Sequence, residues 1–170
     1  LRGIAAGNGL FVTTGGMWDG DQAMISASPD GESWSATATS DGELGRGVVF
    51  GNGTFVAIGA KRCARSGDGV AWSDCGIGGG ADQLGLHFVK GMFHVQRADG
   101  TALSSSDGAA WSSADGWLPD AMVHTGERYV MARWGARGWS DDSLFDWTST
   151  SFPVEEGLSG LAAGKISFSP

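Results

Sequence analysis

Three histidines, one tyrosine, a few loop carboxylates and two cysteines are the side chains through which this sequence could do chemistry. His87, His94 and His124 match the number of imidazoles that a catalytic zinc site can use. Such a site also needs its ligands at short, fixed spacing, and no Asp, Glu or Cys recurs beside these histidines in that way. No metal and no cofactor is therefore expected. Two carboxylates at a set separation would suit glycoside hydrolysis. Asp19, Asp21, Glu155 and Glu156 are available for it, and all fall in loops. No nucleophile elbow, phosphate-binding glycine loop or metal triad occurs, so no catalytic residue is assigned.

Cys63 and Cys75 stand six residues on either side of Gly69. In a symmetric hairpin they oppose each other, with Cβ atoms about 4.5–5.5 Å apart, near the range a disulfide spans. The spacing predicts a disulfide, and with it an oxidising compartment: a secreted or cell-surface location.

The elements that must position these groups are repeats. Ser28-Pro29-Asp30-Gly31-Glu32-Ser33-Trp34, Ser66-Gly67-Asp68-Gly69-Val70-Ala71-Trp72 and Ser105-Ser106-Asp107-Gly108-Ala109-Ala110-Trp111 are three copies of one motif, and Ser140 to Trp147 is a looser fourth. Their tryptophans recur at intervals of 38, 39 and 36 residues, a period typical of solenoids and propellers. A second motif precedes each copy: two short apolar runs around Asn8-Gly9, Asn52-Gly53, Lys90-Gly91 and Gly126-Glu127, with a fifth beginning at Leu161. Asn-Gly between apolar runs marks a type I′ hairpin, whose two central residues both need φ > 0. Each repeat thus holds four strands; in the first they span roughly 2–7, 10–14, 23–28 and 33–38. A four-stranded antiparallel unit of about 40 residues is one propeller blade. The reading is an all-β propeller of four blades, approximately 1–40, 41–80, 81–118 and 119–157, plus the first hairpin of a fifth over 158–170, in one domain or propeller segment. Glycine breaks every candidate helix.

The Asp hairpins resemble the Asp-box (BNR) repeat of sialidases and of many other secreted or surface β-propellers. The resemblance rests on Ser-x-Asp-Gly-x-x-Trp; the fourth copy keeps Ser140, Asp142 and Trp147 but has Leu144 in place of Gly. It implies that Asp30, Asp68, Asp107 and Asp142 are structural, on outer strands away from the central funnel, with Trp34, Trp72, Trp111 and Trp147 folded over their hairpins. The Asp accepts backbone N–H bonds within its own turn and Gly supplies the φ > 0 step; the Trp buries a large area. The catalytic signature of sialidases is missing. There is no Arg-Ile-Pro, and the single tyrosine, Tyr129, occupies the repeat position of Phe11, Phe55 and Phe93, which makes it a packing residue.

Some aromatics lie outside the boxes: Trp18, Trp117, Trp134 and Trp139. An exposed Trp stacks on sugar rings or anchors a protein partner. Trp134 and Trp139, flanking Arg133 and Arg137 across a Gly-rich turn, form the best candidate ligand patch; the bland reading is that these rings fill gaps between blades.

The formal charge of −8, with only 11 Lys plus Arg, excludes a nucleic-acid partner, since phosphate binding needs a basic face. No run approaches the length of a membrane span. The reading of function is a non-catalytic binding or scaffold module for a glycan or a protein. The alternative is part of a glycoside hydrolase-like (sialidase-like) propeller whose catalytic groups lie largely outside this chain, and a third is a structural part of a larger assembly. A second chain or further blades are expected to complete the propeller, with the partner at the two ends of the chain: at an apolar face near Ile4 and Val12, and at the hairpin over 161–170.

Overall fold

The computed structural model describes residues 1–16, 23–40, 44–119, 121–125, 127–133, 136–141 and 144–151. They form two compact units, Leu1–Asp115 and Gly116–Pro170. All regular structure among them is strand, arranged as four-stranded antiparallel sheets in simple chain order.

The first unit holds three sheets. β1 (Gly3–Gly7), β2 (Leu10–Gly16), β3 (Ala23–Ser28) and β4 (Ser35–Ser40) make the first blade. β5 (Gly47–Gly51), β6 (Thr54–Ile58), β7 (Cys63–Ser66) and β8 (Ser73–Asp74) make the second. β9 (Gln83–Val89), β10 (Met92–Arg97), β11 (Ala102–Ser105) and β12 (Ser112–Ala114) make the third. The second unit carries the fourth blade: β13 (Ala121–His124), β14 (Tyr129–Arg133), β15 (Ala136–Ser140) and β16 (Thr148–Ser151). The expected fifth hairpin lies outside the described residues.

The turn chemistry explains the registers. Asn8, Asn52 and Lys90 have φ of 48°, 47° and 52°, and each following glycine is also left-handed, so all three hairpins take the same turn. Gly7 pairs with Leu10, Gly51 with Thr54 and Val89 with Met92. Phe11, Phe55, Phe93 and Tyr129 then pair with Ser28, Ser66, Ser105 and Ser140 on the third strands. Tyr129 therefore holds the packing position that the sequence assigns it, and it is buried.

Because side chains alternate across a strand, each blade has two faces. In the first unit the second blade packs one face on the preceding blade and the other on the following blade. Ala5, Leu10, Val12, Ile25 and Ala27 of the first blade meet Val48, Phe50, Phe55, Ala57 and Ala64 of the second. Val49, Val56, Ile58, Cys63 and Cys75 of the second meet Leu86, Phe88, Phe93, Val95 and Leu103 of the third. We call these the outgoing and incoming faces.

Candidate functional site

The repeated Asp turns link the third and fourth strands of the first three sheets. Asp30 Oδ1 accepts the N–H groups of Glu32 at 2.9 Å and Ser33 at 2.8 Å, and the Ser28 hydroxyl at 2.9 Å. Ser28 Oγ in turn accepts the Gly31 N–H at 2.8 Å. Ser66 with Asp68 and Ser105 with Asp107 repeat this arrangement. Backbone N–H groups, that of Ser33 foremost at Asp30 and that of Ala110 foremost at Asp107, lower both carboxyls to about 2; the Val70 N–H leads the lowering at Asp68. Carboxylates of this kind hold no proton to donate near neutral pH. Gly31, Gly69 and Gly108 supply the left-handed step, with φ of 80°, 71° and 70°. In the fourth copy Leu144 takes that conformation itself, with φ 37°, so the left-handed step is kept without glycine. Asp142 lies outside the described residues.

The box tryptophans cover less than the sequence suggests. Trp34 remains 41% exposed, and Trp72, Trp111 and Trp147 are half-buried. Their indoles lie at the rim and work by hydrogen bonding: Trp34, Trp72 and Trp147 donate to the carbonyls of Gly31, Gly69 and Leu144 in their own turns. Trp111 instead reaches back one blade to the Cys75 carbonyl at 2.9 Å. Cys75 is disulfide-bonded to Cys63, with Cα atoms 5.4 Å apart, on the neighbouring strand positions expected from the hairpin.

The seams between blades show residues that sequence reading missed. The Asn8 amide donates to the carbonyls of Gly53 and Gly67 in the second blade, at 3.2 and 2.8 Å. Asn52 does the same to Gly91 and Ser106 in the third, at 2.9 and 2.8 Å. The signal was present as a repeated Asn, but a turn role already explained it. Beside each Asn a Cβ on Gly7 would overlap the Phe50 ring, and one on Gly51 the Phe88 ring. Each aromatic also tilts against its own-blade partner: Phe50 with Phe55 at 4.6 Å and Phe88 with Phe93 at 4.8 Å between centroids.

His87 and His94 are cross-strand neighbours in the third blade. Burial, and then His87, hold His94 below the usual imidazole range. In the second unit the His124 ring tilts against Tyr129, with centroids 4.5 Å apart. Among the described residues no group of three or more His, Cys, Asp or Glu is placed to hold a metal ion.

Among the described residues, one face of the first blade and one of the fourth carry exposed side chains. On the incoming face of the first blade Ile4, Phe11 and Met24 are 64%, 39% and 44% exposed, although Phe55 and Phe93, at the Phe11 position, are fully buried. Val12, expected on this face, points the other way into the core: it neighbours Phe11 in a strand and so faces the opposite side. On the outgoing face of the fourth blade a concavity of about 260 Å³ is lined by Arg128, Val130, Arg137, Gly138, Trp139, Thr148 and Thr150. The Arg128 guanidinium lies 4.8 Å over the Trp139 ring and 3.6 Å from the Asp141 carboxylate. Of the candidate ligand patch, the structure therefore brings Arg137 and Trp139 together and adds Arg128. Trp117 is half-buried in the segment before β13 and is not part of this lining. Trp18, Trp134 and the side chain of Arg133 lie outside what is described.

No family model and no curated protein matches the chain. Solved structures do. The chain is similar to YCF48 bound to D1 peptide, at 13% identity and a TM-score of 0.63 over 94% of this chain and 58% of that one. It is similar to YCF48 from Cyanidioschyzon merolae, at 14% identity and a TM-score of 0.54 over 88% of this chain and 59% of that one. It is also similar to Sqt1 of Saccharomyces cerevisiae, at 12% identity and a TM-score of 0.55 over 89% of this chain and 47% of that one. At such identities the likeness shows the fold, a β-propeller of four-stranded antiparallel blades. The chain spans about half the length of these structures.

Proposed function

We propose that this chain is a non-catalytic interaction module, a segment of an Asp-box propeller over 1–170 that works in an oxidising, extracytoplasmic setting and takes a protein partner on these two blade faces. One observation carries the reading. On the outgoing face of the fourth blade, Arg128, Arg137 and Trp139 stand at the positions that Leu10, Ile25 and Ala27 hold in the first blade. Where a repeat abandons its own apolar pattern, function is the usual reason. Two guanidinium groups around a half-exposed indole suit a carboxylate-bearing polypeptide, because Arg pairs bidentately with carboxylates and Trp anchors the contact. The share of the similar structures that this chain spans supports completion of the propeller by further blades. Among those structures YCF48 is seen with a peptide, which supports a polypeptide partner over a glycan.

The disulfide supports the compartment. The exposed apolar residues of the first blade support protein rather than sugar as the partner, since exposed apolar patches mark protein contacts. Probing peptide and glycan arrays in parallel tests the reading. Binding of acidic peptides that falls at least ~10-fold in Arg137→Ala and Trp139→Ala is the expected outcome. Binding to glycans alone would replace protein by carbohydrate, and turnover of aryl glycosides would favour the hydrolase alternative.

A further inference from the structure

The two seams of the first unit follow one rule. The outgoing face supplies a glycine, Gly7 or Gly51, into which the aromatic of the next blade fits, Phe50 or Phe88. It also supplies the side chains that pack on the glycine of the next Asp turn. A Cβ on Gly69 would meet Val12 at 3.1 Å and Leu10 at 3.3 Å; one on Gly108 would meet Val56 at 2.7 Å and Thr54 at 3.8 Å.

The two faces with exposed side chains break this rule in opposite senses. On the incoming face of the first blade Ala6 stands where Phe50 and Phe88 stand, and a Cβ on Gly31 would meet only Phe11 of its own blade, at 3.9 Å. On the outgoing face of the fourth blade Thr125 stands where Gly7 and Gly51 stand, and Arg128 where Leu10 and Thr54 stand. One face has lost its aromatic; the other has lost its socket. A Thr facing Phe would overlap it, as any side chain at Gly7 would, whereas a Thr facing Ala6 fits. In the same register Arg128 comes beside Gly31, between the exposed carboxylates of Asp30 and Glu32. The half-exposed Trp139 and the exposed Ile4, Phe11 and Met24 are then the apolar surface withdrawn from water.

Resting on the interaction role proposed above, and naming its partner, we infer that the partner is a second copy of this chain, docked head to tail: the outgoing face of the fourth blade of one copy lies on the incoming face of the first blade of the other. Such a contact joins different patches on the two copies, so it closes only if the rotation allows.

Sedimentation equilibrium and light scattering of the whole chain test this. The expected mass is twice that of one chain. Phe11→Glu, at a half-exposed position, weakens association at least ~10-fold with an unchanged circular dichroism spectrum. Arg128→Glu and Glu32→Arg each weaken it by a similar factor, and the two together restore it to within ~3-fold, the signature of a direct charge pair. A single-chain mass at ~100 μM overturns the inference, whether residues 152–170 or another polypeptide cover these faces. Failure of the double reversal to restore association overturns it as well. Binding of acidic peptides by a monomer, lost in Arg137→Ala, would leave the interaction role standing while removing the second copy as the partner.

Discussion

The ring of Phe50 occupies the volume that a Cβ on Gly7 would fill, and Phe88 stands in the same relation to Gly51. Both seams of the first unit thus close through a fit with no slack. Gly7→Ala and Gly51→Ala are each expected to destabilise by about 1–3 kcal/mol, the usual cost of overpacking. Gly78→Ala is the control, since it has open space around it and no left-handed φ. It should stay within about 0.5 kcal/mol in urea denaturation.

Asn52 forms the turn and bridges the seam. Asn52→Gly keeps the left-handed turn and removes the bonds to the Gly91 and Ser106 carbonyls. Two net hydrogen bonds correspond to about 1–2 kcal/mol. Asn52→Asp is expected to cost more above pH ~4, because it turns an ionised carboxylate toward two carbonyl oxygens. Equal stability of Asn52→Asp and the native chain at neutral pH would contradict the bridging role.

Acid should weaken the fold in two stages. His94 is held below its usual value of 6.5. The unfolded chain therefore takes up that proton first, and stability falls as pH drops below 6.5 until the folded form is protonated too. Asp30 and Asp107 are lowered from 3.8 to about 2, so their contribution is complete above 3.8 and lost as pH falls toward 2. Thermal unfolding followed from pH 8 to 2 should show both declines. Asp107→Asn should reduce the lower one, and His94→Gln should abolish the upper one.

Reducing the Cys63–Cys75 bridge should lower stability by up to about 3 kcal/mol, given the short loop it closes. Both sulfurs sit in the apolar seam between the second and third blades, so Cys63→Ala with Cys75→Ala should cost at least as much as reduction. Paired denaturation curves with and without a reductant check this. An unchanged midpoint would mean that the crosslink constrains nothing.

What was legible in the sequence was local. The Asp turn needs only partners within three residues, so Ser28, Asp30 and Gly31 declare it in place. The turn at Asn8 was equally plain, but its amide partners lie 45 and 59 residues away, beyond any local pattern. The face error at Val12 has a simple cause: a strand reverses sides at each residue, and Phe11 and Val12 are both apolar, so alternation alone does not say which one faces outward. Leu144 departs from the motif, yet it adopts the left-handed φ that the glycines supply in the other copies. Within the ligand patch, Arg137 and Trp139 were singled out for flanking an expected Gly-rich turn, whereas Ala136–Ser140 is the strand β15, on which the two stand two apart. Arg128 joins them across the sheet, through the pairing of Val130 with Trp139.

The asymmetry of the seams has a consequence for synthesis. In both, the earlier blade supplies the glycine socket and the amide donor, and the later one supplies the aromatic and the accepting carbonyls. A chain emerging N-terminus first therefore completes each receptacle before the ring that fills it is made. Translation at about 5–20 residues per second delivers that ring a few seconds later. During the wait, the nascent protein offers a small, partly polar surface at this spot instead of an orphaned aromatic, and each finished blade is a template for the next.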